Sequence, residues 1–220
     1  MKSFTEEWEK IHQKQEWGRY PSENVIRFVA RNYYGMERSK VRILDFGCGA
    51  GANTWYLARE GFDVYAFDGS ETAVKRAKDY LETEGYNDVK FAVMDGLELN
   101  YPYDFFDCII DNACIYANTY SAIQKMYKEV FAILKKGGKL FSSCFGIATE
   151  GFESGNMLES NTYENIKMGA LAGRACAHFF TKEQLENVVE MVGFTNIIID
   201  EMSYTDNGHR IEMFILQATK

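Results

Sequence analysis

The sequence predicts an α/β fold: a seven-stranded, mostly parallel sheet with helices on both faces and an antiparallel last strand. Three observations predict it. Strand-like and helix-like patterns alternate along the chain. An apolar run at 41–46 passes straight into glycines at positions 47, 49 and 51. The last two strand-like runs are joined by Thr205-Asp206-Asn207-Gly208-His209, a hairpin signal that forces one of them to run antiparallel.

Each element has its own warrant. Strands are expected at 41–46, 63–67, 89–94, 106–110, 139–144, 195–204 and 210–218, where apolar and β-branched residues cluster. Helices are expected at 53–60, 71–84, 121–134 and 182–192. Ser70 is placed to cap the second of these, and Gly85 and Gly193 sit where helices stop. Gly137-Gly138 is read as closing the third helix and opening the fifth strand. The first five strands alternate with helices, so they should be parallel. Two segments fall outside this alternation. Residues 1–40 carry an aromatic cluster (Trp8, Trp17, Tyr20, Phe28, Tyr33, Tyr34), and residues 147–180 show little pattern. An insertion of that length in a compact fold is more often a functional cover than an idle loop.

Composition excludes several classes. The formal net charge of −8 argues against a large nucleic-acid footprint, which needs a basic face. No run approaches the ~20 apolar residues of a membrane span. The polar, acidic start of the chain is not a secretory signal. Five cysteines without a CxxC pair read as reduced core residues, so a cytoplasmic protein is expected. No His, Cys and carboxylate set has metal-ligand spacing, and no metal is expected. The partner expected is a small molecule, with no nucleic acid and no membrane, and the chain is expected to be a monomer or homodimer.

The glycine loop carries the chemistry. Gly accepts positive φ and has no Cβ to hold a ligand away. The helix after it points its first N–H groups at the same place. Gly47, Gly49 and Ala52 also satisfy the dinucleotide fingerprint G-x-G-x-x-G/A. Asp45 separates the two readings. A carboxylate just before the loop repels a pyrophosphate but suits a ligand with a sulfonium and an ammonium. On these residues, Ile43-Leu44-Asp45-Phe46-Gly47-Cys48-Gly49-Ala50-Gly51 resembles the first motif of the class I S-adenosylmethionine-dependent methyltransferases of small-molecule type. That family has a Rossmann-like sheet ending in an antiparallel hairpin.

The resemblance implies a site. Asp45, Gly47, Cys48, Gly49 and Asn53 would surround the donor at the first strand end. Asp68, followed by Gly69 and Ser70, would accept hydrogen bonds from the ribose hydroxyls. Asp95, Gly96 and Leu97 would face adenine. Asp111 and Asn112 would lie beside the methionyl part. Trp17 and Tyr20, in Trp17-Gly18-Arg19-Tyr20-Pro21, would cover the cation with aromatic faces, an attraction of ~0.5–2 kcal/mol. The implied cofactor is S-adenosylmethionine, with S-adenosylhomocysteine as product. The chain then divides into a helical cap (1–40), a cofactor-binding core (41–146), a substrate cover (147–180) and a C-terminal helix and hairpin (181–220), one domain throughout.

Methyl transfer is an in-line displacement, so the protein needs chiefly to hold acceptor against methyl in a dry site. A base is needed only for a hydroxyl or protonated amine acceptor, an O or N atom. His178 is the candidate, with Tyr116 and Arg174 as further substrate contacts. Neither an Asp/Asn-Pro-Pro-aromatic motif nor a Pro-Cys dipeptide occurs, which argues against DNA-base methylation. Two other readings stay open: an NAD(P)-dependent oxidoreductase, and a non-catalytic regulator that binds the methyl donor.

Overall fold

The computed structural model describes residues 4–220. Two helices come first, α1 (Glu6–Lys14) and α2 (Glu23–Tyr33). The alternating core follows: β1 (Arg42–Phe46), α3 (Ala52–Arg59), β2 (Asp63–Asp68), α4 (Glu71–Thr83), β3 (Lys90–Val93), β4 (Phe106–Asn112), α5 (Tyr120–Ile133) and β5 (Leu134–Phe145). Three short strands, β6 (Asn156–Glu159), β7 (Thr162–Glu164) and β8 (Cys176–His178), precede α6 (Lys182–Val192). The chain closes with β9 (Thr195–Asp206) and β10 (His209–Thr219).

The sheet has seven strands in the order β3-β2-β1-β4-β5-β10-β9. β1 to β5 pair parallel, and β10 runs antiparallel to both β5 and β9. The expected hairpin is therefore present. Asn207 (φ 49°) and Gly208 (φ 85°) both take positive φ, as a tight hairpin turn requires. Chain order reverses between β1 and β4, which leaves a crevice at their carboxyl ends.

Strand residues alternate between two apolar layers. Ile43, Cys108, Ile110 and Phe141 face α2 and α3, where they meet Val25, Phe28, Trp55 and Leu57. Leu44, Ile109, Leu140 and Leu216 face α5 and α6. Caps behave as their residue types require. Ser70 Oγ accepts from the Ala73 amide at 3.0 Å, and Gly193 ends α6 with φ 115°.

Two expectations are corrected. Gly137-Gly138 does not separate α5 from β5. The helix ends at Ile133, β5 begins at Leu134, and both glycines lie within the strand. The register between β4 and β5 slips there, and the Gly137 amide donates to Lys220 O at 2.8 Å. The insertion is also not patternless: β6, β7 and β8 form a separate antiparallel sheet. Its strands are three or four residues long, too short for alternation to show in sequence. Phe180 N donates to Phe145 O at 2.8 Å, so the insertion leaves and rejoins the core at one point.

Candidate functional site

The crevice at the reversal point holds a cavity of about 410 Å³, within the usual range for small-molecule sites. The glycine loop forms its floor. Gly47, Gly49 and Gly51 all take positive φ, at 67°, 52° and 89°. A Cβ at Gly47 would sit 2.1 Å from Cys114 Sγ, and one at Gly51 would sit 2.9 Å from Ala77 Cβ on α4. Gly47 thus lets the β4 loop close against the site, and Gly51 lets α3 and α4 pack.

Carboxylates at successive strand ends do different work. Asp45 is wholly buried beneath the loop and does not line the cavity. It accepts hydrogen bonds from Asn53 Nδ2 and Thr54 Oγ1, so it ties the end of β1 to the start of α3. Burial pushes its pKa up to about 6, against the pull of those bonds. Asp111 repeats the pattern under the β4 loop. It accepts from the Cys114 and Ile115 amides at 2.8 and 3.0 Å and from Ser142 Oγ at 2.6 Å. Burial raises it also to about 6.

Asp68 lies at the cavity wall. Its two oxygens accept from the Gly49 and Ser70 amides, each at 2.9 Å. A carboxylate has about four lone-pair positions, so it keeps capacity toward a ligand. Ser70 itself faces away and caps α4. Asp95 binds the Leu97 amide at 2.9 Å and the Phe4 amide at 3.1 Å. Gly96, rather than Asp95 or Leu97, reaches the cavity. Asn112 lines it as well, and its Oδ1 accepts from Ser143 Oγ at 3.1 Å. Cys48 lines it too; burial drives its thiol well above the usual value.

The N-terminal segment roofs the site. Phe4, Trp8, His12, Trp17 and Tyr20 all line it, although Tyr20 is 76 % exposed at the rim. The His12 ring lies between Trp8 and Trp17, at centroid distances of 6.2 and 5.4 Å. Glu9, on the same helix, accepts hydrogen bonds from Ser70 Oγ and Thr72 Oγ1 and fastens α1 to the start of α4. Burial of Glu9 works against its charge, but these bonds prevail and lower its pKa. Arg76 adds bonds to Gln15 O at 2.9 Å and Gln13 O at 3.3 Å.

His178 is placed differently. It is fully buried in the insertion, off the cavity. Nδ1 meets Thr162 Oγ1 at 2.7 Å, Nε2 meets Gln184 Oε1 at 3.1 Å, and the ring stacks on Tyr120. Tyr116 does line the cavity, its ring edge-on to Phe145 at 4.9 Å. His12, which is not among the residues that the resemblance implies, is the histidine that lines the cavity. Its signal was the spacing of Trp8 and His12, one turn apart on one face of α1.

The residues present fit a polar ligand with an aromatic part. Three buried polar atoms of cavity-lining residues have no hydrogen-bond partner among the described residues: His12 Nδ1, Trp17 Nε1 and Asn53 Oδ1. Orphaned buried groups are rare in folded proteins, and these three belong to residues around one space. Among the described residues no helix is long and apolar enough to cross a membrane.

Known proteins resemble this chain. A family model described as a methyltransferase domain matches residues 37–193. The arsenite methyltransferase of Mus musculus is 31 % identical over 139 residues, covering 55 % of this chain and 36 % of that protein. The chain thus spans about a third of the length of that relative. The human EEF1A lysine methyltransferase 2 is 28 % identical over 176 residues, covering 73 % of this chain and 72 % of that one. A Methanosarcina mazei structure described as a SAM-dependent methyltransferase superposes with a TM-score of 0.71 at 23 % identity, covering 87 % of this chain and 96 % of that one. At that identity the likeness speaks for the fold alone.

Proposed function

The chain belongs to the class I S-adenosylmethionine-dependent methyltransferases, and on that premise we propose that it moves a methyl group from S-adenosylmethionine to an O or N atom of a small-molecule acceptor. One observation carries the proposal. The cavity joins Asp68 at the end of β2 to His12, Trp17 and Asn53, each with one buried polar atom that lacks a partner among the described residues. When bound, the cofactor supplies an electrophilic methyl and a sulfur that leaves with the electron pair of its broken bond.

The residues divide the work. Asp68 would take ribose hydroxyls while the Gly49 and Ser70 amides hold it in place. Gly96, Met94 and Phe46 would form an apolar slot for the base. His12 and Trp17 would close over the donor and exclude water. Burial lowers the pKa of His12, although Asp68 and Glu9 pull it back up, and its Nδ1, without a partner among the described residues, is left for a ligand. Tyr116, Phe145 and Leu171 would bound the acceptor beside the methyl. Orientation in such an enclosed site can supply ~7–11 kcal/mol of the barrier reduction.

Calorimetry with S-adenosylhomocysteine, followed by radiolabelled methyl transfer to small-molecule fractions, tests this reading. Micromolar binding and a labelled small product are expected. Binding of NADH without S-adenosylhomocysteine would replace the reading with an oxidoreductase. Binding without any labelled product would favour a regulator. A labelled protein band would move the acceptor to the class that the human relative's name describes.

A further inference from the structure

We infer that the acceptor bears an oxyanion, a carboxylate or a phosphate, and that Arg174 of the insertion binds it against an apolar wall. This deepens the methyl-transfer reading and rests on it. Arg174 is the one lysine or arginine that lines the cavity among the described residues. Two other half-buried arginines pair with carboxylates, Arg38 with Glu60 at 2.6 Å and Arg42 with Asp63 at 3.1 Å, while Arg76, off the cavity, bonds the Gln15 and Gln13 carbonyls. Arg174 has a neutral partner instead. Its Nη1 donates to Gln15 Oε1 at 3.0 Å, and its guanidinium lies 4.8 Å from the Trp17 ring centroid. The ring and Gln15 hold the guanidinium in place, and Gln15 uses one of its five N–H donors.

The charge reaches into the cavity. Burial raises the Tyr116 phenol above its usual pKa, and Arg174 is the neighbour that pulls it back down. Leu171 and Ala170 of the same insertion, with Phe145, supply an apolar wall. In a chain of net charge −8, the general field repels anions. An arginine without a carboxylate partner inside the cavity is the local exception, with the planar fork that recognises oxyanions in pairs of hydrogen bonds. The insertion therefore selects the acceptor, and the strand ends hold the donor.

The test uses protein saturated with S-adenosylhomocysteine, so that only the acceptor space remains. Benzoate, phenyl phosphate and neutral benzyl alcohol are titrated in parallel by calorimetry. At least one anion should bind roughly tenfold or more tightly than the alcohol, and the tighter anion names the oxyanion. Arg174→Gln should erase that preference, and Arg174→Lys should keep part of it. Affinity for S-adenosylhomocysteine should stay within about twofold in both variants, well under the tenfold that one kept charge-assisted bond is worth. Equal binding of the alcohol, binding of no probe, or a preference that survives Arg174→Gln would overturn the inference. Loss of S-adenosylhomocysteine affinity in Arg174→Gln would also overturn it, by assigning the cation to the donor. Failure of the unmodified protein to bind S-adenosylhomocysteine is seen before any probe is added. That result overturns the donor reading and this inference with it.

Discussion

The N-terminal segment and the 147–180 insertion both stand outside the alternating core, yet they relate to the cavity in different ways. The first gives it a continuous aromatic roof through Phe4, Trp8, His12, Trp17 and Tyr20. The second touches it only through Ala170, Leu171 and Arg174, and its histidine is held off the cavity by Thr162 and Gln184. Length without pattern marks a segment as special but does not say how much of it faces the ligand. What decides is where hydrogen-bonding capacity is left over. Among the described residues, His12 Nδ1 and Trp17 Nε1 stay unpartnered, while both ring nitrogens of His178 have partners.

The largest test of this contrast removes the roof. A chain starting at Ser22 should bind S-adenosylhomocysteine roughly a hundredfold more weakly, about 2.7 kcal/mol. Its sheet should persist, because α2, β1 and their apolar contacts remain. Calorimetry and circular dichroism check both parts, and undiminished affinity would transfer the donor site elsewhere. Within the strand-end site, Asp68→Ala should cost about 1.5–3 kcal/mol of affinity through lost charge-assisted bonds. Unchanged binding would remove Asp68 from the ribose role.

The insertion should respond in the opposite sense. His178→Ala removes the partner of Gln184 Oε1 and leaves Thr162 Oγ1 only its longer bonds to Glu159 and Ser160, so it should lower stability by about 1–3 kcal/mol in urea titration. Affinity for S-adenosylhomocysteine should not change. A fall in turnover at full stability would return His178 to the role of base.

The same contrast marks what was legible in the sequence. The glycine loop, the acidic end of β2 and the terminal hairpin were readable because each rests on a local rule: positive φ, a strand followed by a capped helix, an Asn-Gly turn. Asp45 and Asp111 were readable as important residues but not in their placement. A carboxylate at a strand end looks the same in sequence whether it faces a ligand or holds the loop from below. That His12 and not His178 reaches the cavity has a longer-range reason. Which of two histidines reaches the cavity depends on how α1 lands on α4, a contact set by Glu9 with Ser70 and Thr72, some sixty residues away in sequence. The insertion sheet was hidden because its strands are shorter than the period needed to reveal them.

The smallest expected effect is a pH dependence confined to the insertion. Burial lowers the pKa of His178, and the Gln184 bond and the Glu159 charge only partly restore it. The folded state therefore takes up its proton less readily than the unfolded state. The stability His178 contributes is complete above the unfolded value of about 6.5 and is lost as pH falls through the lower folded value. Asp45 and Asp111 titrate in the opposite sense nearby. Their pKa values are raised to about 6, so they destabilise as pH rises from the unfolded carboxylate range through about 6. A single stability curve mixes these signs, and a difference curve separates them. Urea midpoints of the unmodified protein and His178→Gln, compared from pH 7.5 to pH 5.5, should converge as pH falls. The slope of that convergence should not exceed about 1.4 kcal/mol per pH unit. Divergence on acidification would mean that the folded protein holds His178 charged. Its bonds to Thr162 and Gln184 would then be those of an imidazolium, and the insertion would carry a buried positive charge next to the cavity wall.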